Sequence, residues 1–218
     1  TKDLAGTRAV LKTGTRLVIH LMIPIVAVGV LAAPDLLRLW LGEADPVVVL
    51  VFRLTLIAVL ADALGSVAVN VVWGQGRVTP ILVAAAASAA AVIAGSAFVL
   101  PAFGVEAGVA VLATVLAVVS IIFWAMACVR NEVRTIAFIF ETLRGLAWPA
   151  LACCAVVAAI LAIPGVPVAV RLVLAGCAGG IAYLWLLARI GGTQDERQFV
   201  ERIRRLPGEL ALPIGRTV

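Results

Sequence analysis

Histidine occurs once in the 218-residue sequence, at position 20, and that scarcity removes much of enzyme chemistry at the outset. His-rich metal sites are excluded, and the lone imidazole has no convincing nucleophile near it in sequence. The phosphate-binding GxxxxGK[ST], the zinc motif HExxH and the hydrolase motif GxSxG are all missing. Cysteine is sparse too. Cys128, Cys153, Cys154 and Cys177 have no metal-type spacing and fall inside apolar runs, so they read as small packing residues. Charged residues make up only 13% of the chain, and the few acidic ones before the second long apolar run (Asp35, Glu43, Asp45) alternate with apolar residues in a turn. The sequence therefore predicts no enzyme, no metal and no cofactor.

Hydrophobic residues, at 64%, are what the chain has in excess, and its mean hydropathy is +1.17. Charges bunch between apolar runs long enough to cross a bilayer. The expected fold class is an all-α integral membrane protein: six transmembrane helices in a bundle, over residues 17–33, 47–73, 80–100, 107–128, 146–163 and 170–188, plus cytoplasmic amphipathic helices. Residues 191–218 form the cytoplasmic amphipathic helix and tail, opened by a Thr193–Glu196 capping box and stopped by Pro207. The net charge of +5 comes from basic residues spread along loops, so nucleic acid is not the expected partner. The chain opens on Thr1-Lys2-Asp3 without an initiator Met or a signal peptide, and reads as a piece of a longer polypeptide.

With both ends on one side, 14 of the 17 basic residues gather there. Arg38 and Arg171 fall on the other side and Arg53 within a span. By the positive-inside rule the shared side is the cytosol. Residues 1–16 are then a basic lead-in, residues 34–42 an interfacial helix capped by Gly42, and residues 130–145 an amphipathic surface helix whose apolar stripe is Val133, Ile136, Phe140 and Leu143. His20, one turn before Pro24, reads as structural, with proton relay as the alternative. The turn between the third and fourth spans, PAFGVEAG, contains Glu106. Gly176 and Gly180 form a GxxxG packing face, and Ala84, Ser88, Ala91 and Gly95 a small-residue ridge.

The most informative stretch is residues 33–76, because its span carries two charges, Arg53 and Asp62. An intramembrane charge costs roughly 2.5–3.5 kcal/mol on insertion scales. Nine residues at about 100° each set the two on opposite faces. Arg53 sits among Leu56, Ile57 and Leu60, a lipid-like face, about 9 Å deep, from which its stem snorkels outward. Asp62 is near mid-span, too short to snorkel, and shares a small, polar face with Gly65 and Ser66, Asn70 lying at its margin. It faces protein or water. Two roles stay open for it: a cavity or coupling-ion residue, or a brace hydrogen-bonded between spans.

Several runs resemble one known family. GTRLVIHLMIPIVAVGVLAAPDLLRLWLG, then VVVLVFRLTL, then FGVEAGVAVLA are similar in order and character to the polysaccharide-biosynthesis flippases, the Wzx-like branch of the MOP superfamily. The shared features are a basic GTR before a proline-containing span, a Pro…LWLG exit, an arginine early in the next span and a G-[VI]-x-G-[AV] turn. The resemblance implies one lobe of a MOP-type flippase, spans nine to fourteen of fourteen, with the N-terminal lobe outside this chain. It implies a bacterial cytoplasmic (inner) membrane protein that moves a polyprenyl-diphosphate-linked oligosaccharide between leaflets by alternating access. Partners are then the lipid-linked oligosaccharide, membrane lipids, the missing lobe and a coupling ion. Asp62, Ser66, Asn70 and Arg53 are the expected substrate or ion-pathway residues. The rival readings are a scaffold or assembly subunit that transports nothing, which predicts no polar cavity, and a related exporter of another substrate.

Overall fold

The computed structural model describes residues 4–76 and 78–190, and every element among them is helical: α1 (Leu4–Leu31), α2 (Ala33–Leu41), α3 (Pro46–Gly74), α4 (Thr79–Arg130), α5 (Thr135–Leu161) and α6 (Val168–Ile190). Four of these, α1, α3, α4 and α6, are long and apolar enough to cross a membrane. The chain is an all-helical membrane protein. Its large apolar side chains point outward along the helices: Phe98, Ile93 and Val129 are all more than two-thirds exposed. Such a surface is unfavourable in water and natural against lipid tails.

α4 is two helices in one. Gly104 interrupts it with φ 80° and ψ −174°, a conformation that L side chains rarely adopt. The chain folds back there, so that a Cβ on Gly95 would lie 2.7 Å from Val111 and one on Gly108 2.9 Å from Leu100. The break falls inside the expected PAFGVEAG turn. Gly42, with φ 85°, caps α2 through its N–H to the Arg38 carbonyl, also as expected.

α1 lies between two helix pairs. On one side Leu11 joins Ala68 and Val72 of α3, Phe123 and Ala127 of α4 and Phe138 of α5 in one buried cluster. On the other, Ile19 packs with Cys153 and Val157 of α5 and Ala175, Tyr183 and Leu187 of α6. α2 seats Ala33 and Leu37 against Val49 of α3.

The helices depart in places from the expected bounds and contacts. The lead-in is helical from Leu4, because Leu11 is wholly buried and holds that part of α1 in the bundle. The surface helix and fifth span are one 27-residue helix, α5, running through Pro149. Val133 of the expected stripe is buried just before the helix begins; within it Phe140 is 70% exposed, and Phe138, outside the stripe, is buried and stacks on Trp124 at 5.3 Å. Gly176 and Gly180 have nothing within 4 Å of their Cβ positions, and Gly179 is the close approach instead, at 2.6 Å from Val157. The Thr193–Glu196 helix lies outside the described residues.

Close helix approach supplies much of the adhesion in lipid, where burial of apolar surface drives little. The tightest contact is between α3 and α4: a Cβ on Gly65 would sit 2.5 Å from Ser120 Oγ and 3.0 Å from its Cα. Gly65→Val is therefore expected to destabilise the bundle by about 1–3 kcal/mol through overpacking. Thermal unfolding in detergent measures it, and Ser120→Gly should recover part of the loss. Equal stability of the Gly65→Val protein would show that the two helices are free to separate.

His20 is 6% exposed, and its Nδ1 lies 2.9 Å from Tyr183 Oη, a hydrogen bond tying α1 to α6. This supports the structural role. Tyr183→Phe should cost about 1 kcal/mol in the same unfolding experiment, and no change would leave the bond without a bracing role.

Candidate functional site: a polar groove between α3 and α4

Asp45 starts α3 as its N-cap, accepting from the N–H groups of Val47 (2.7 Å) and Val48 (3.3 Å), with Pro46 next in the first turn. The helix then runs 29 residues, and side chains four apart stack along one face. That spacing sets Asp62, Ser66 and Asn70 in a row. All three line one groove of about 300 Å³, facing Ile81, Ala85 and Ser88 from the first half of α4 and Leu116, Ser120 and Phe123 from the second. The Gly65–Ser120 contact forms its back.

Two of the groove's three hydroxyls bond locally. Ser66 Oγ donates to the Ala63 carbonyl at 2.7 Å, and Ser88 Oγ lies within bonding distance of the Ala84 and Ala85 carbonyls. Their protons are used on their own helices, so the oxygens face the groove as acceptors. With the Asp62 carboxylate the groove is acceptor-rich. It suits a cation or the hydroxyl donors of a sugar, and it repels phosphate. Asp62 makes no hydrogen bond or ion pair among the described residues, so no bracing contact through it occurs among them.

Arg53 does not belong to this row, nor to lipid. Its Nε donates to the Val30 carbonyl at 3.0 Å, in the last turn of α1. Helix C-terminal carbonyls lack an intrahelical partner and sit at the negative end of the dipole, which is what a guanidinium satisfies. The same face of α3 meets α1 at Gly29, whose Cβ position would be 2.8 Å from Leu56. The expected lipid face is thus in part a protein face, with Ile57 on it still 50% exposed, and α3 is flanked by α1 and α4.

Two further polar clusters join segments distant in sequence. Beyond its i,i+3 partner Arg38 (3.8 Å), Asp35 pairs with Arg171 of α6 at 2.7 Å, both side chains mostly buried. At the opposite end, Asn131 is fully buried: its Nδ2 donates to the Ala127 carbonyl at 2.8 Å and its Oδ1 accepts from Gln75 at 3.2 Å. Arg8 of α1 reaches the Asn131 carbonyl and the Glu132 carboxylate. No short motif flags either cluster. Only the adjacency of helices in space brings the partners together. No group of three His, Cys, Asp or Glu side chains able to hold a metal occurs among the described residues.

No family model matches the sequence, and neither the curated proteins nor the solved structures contain a match to it.

Proposed function

We propose that the chain is one lobe of an alternating-access flippase that moves a polyprenyl-diphosphate-linked oligosaccharide across the bacterial cytoplasmic membrane. The observation that carries this reading is the groove. Asp62 lies near the middle of a 29-residue apolar helix, makes no hydrogen bond or ion pair among the described residues, and shares its groove with Ser66, Asn70, Ser88 and Ser120. An ionisable residue held at that depth marks a substrate or ion pathway by default. A scaffold has no use for one. Rocking of a lobe would open such a groove to each side in turn, with Asp62 holding a coupling ion and the Ser and Asn side chains meeting sugar hydroxyls.

The order of basic motifs and the LWLG exit support the family assignment, and the fold-back at Gly104 supports six spans, since it divides α4 into two halves. Charge segregation supports the orientation. Arg8, Lys12, Arg130 and Arg134 lie at one end of the bundle with Glu132, whereas among the described residues the other end holds only Arg38 and Arg171 beside Asp35, Glu43, Asp45 and Glu106. The positive-inside rule sets the first end in the cytosol.

Reconstitution tests the reading. The full-length polypeptide carrying this chain, in vesicles loaded with polyprenyl-diphosphate oligosaccharide in one leaflet, should make the glycan accessible to an external lectin faster than empty vesicles do. Equal rates would remove the flippase reading.

A further inference from the structure

At the end of the bundle where α1 begins, a second pocket of about 340 Å³ is lined by Arg8 and Lys12 of α1, Glu132 and Arg134 of the α4–α5 turn, and Phe138 of α5. Three cations from two distant segments converge on it with one carboxylate. A solvated basic loop does not require that convergence. Arg8 and Lys12 are four apart on one face of α1, a like-charge spacing that by itself disfavours the helix.

Glu132 neutralises Arg8 by a direct ion pair. That leaves Lys12 and Arg134 as the pocket's net charge. The Lys12 ammonium is placed 6.0 Å from the centroid of the Phe138 ring, which is itself 2% exposed and forms an apolar floor. Arg134, at the start of α5, makes no side-chain capping bond there, and no acidic residue occupies the first turn of that helix. A cationic rim over an apolar floor, at the end of membrane-crossing helices, matches a phosphate whose other substituent is apolar.

We infer that the Arg8–Lys12–Arg134 pocket binds a phosphate group, delivered by the headgroup of an anionic lipid. This site is separate from the acceptor-rich groove, and it stands whether or not the chain is a flippase.

The test uses the full chain purified in detergent and native mass spectrometry with added phosphatidylglycerol or phosphatidylcholine. Phosphatidylglycerol should bind more tightly, and Lys12→Gln/Arg134→Gln should weaken it on the order of tenfold. Arg38→Gln, at the opposite end, should bind as the unaltered chain does, and matching thermal unfolding of all three proteins verifies that each is folded. Adding inorganic phosphate at constant ionic strength separates the sources. No displacement of phosphatidylglycerol supports the lipid headgroup, whereas displacement by inorganic phosphate supports phosphate binding and overturns the lipid source. Equal binding of the two lipids, or undiminished phosphatidylglycerol binding by the double variant, overturns the site.

Discussion

Replacing Asp62 by asparagine is expected to cut the proposed transport sharply while leaving the level of protein in the membrane unchanged. The substitution keeps shape and removes one negative charge, so it isolates electrostatics from packing. The structure indicates why the fold should tolerate it: the carboxylate lines an open groove and makes no bond to another helix among the described residues. A charge-assisted contact to a bound cation or donor contributes about 1.5–3 kcal/mol, so the transport rate should fall on the order of tenfold to a hundredfold. Asp62→Glu, which keeps the charge on a longer stem, should retain part of the rate. The measurement is lectin accessibility of the flipped glycan, with immunoblotting of the membrane fraction. Undiminished transport by Asp62→Asn would take Asp62 out of the mechanism.

The second large effect belongs to the Asp35–Arg171 pair. It joins the short α2 to α6, and both partners are removed from solvent, with side-chain exposures of 12% and 17%. Deleting one partner of such a pair strands the other charge, which costs about 3 kcal/mol, less here to the extent that solvent still reaches it. Arg171→Ala and Asp35→Ala should each lower stability by about 2–3 kcal/mol, while the double variant should lose clearly less than the sum. Unfolding in detergent followed by circular dichroism completes the cycle. Because the pair is shielded, added salt should change it less than it changes the exposed Arg8–Glu132 contact. Additive losses would mean that the two residues act separately.

Much of this architecture is legible along the chain. Long apolar runs need internal hydrogen bonding in lipid and so become helices, whatever their neighbours. Local chemistry also reports its own geometry: Gly42 caps α2, Gly104 turns α4 back on itself, and both residues have positive φ. The row Asp62, Ser66, Asn70 follows from helical spacing alone, and the structure gathers all three in one groove.

Neighbours are another matter. A helical wheel separates Arg53 from Asp62 but carries no record of which face meets another helix, so Arg53 reads as lipid-facing until α1 is seen against it. GxxxG spacing marks Gly176 and Gly180, yet Gly179 makes the close contact, because the crossing point depends on how α5 lies over α6. Likewise Phe138 is buried and Phe140 exposed through the rotation of α5 against α1 and α4.

The amino-acid order by itself therefore determined the membrane class, the helical character of the apolar runs, the turns at Gly42 and Gly104 and the polar row on α3, since each depends on backbone hydrogen bonding and residues within a few positions. Tertiary structure alone decided that Asp35 meets Arg171, that His20 meets Tyr183 and that Arg8, Lys12 and Arg134 converge. Those contacts join segments far apart in the chain, and in a lipid-embedded bundle nearly every helix face is apolar, so polarity gives little sign of which faces will touch.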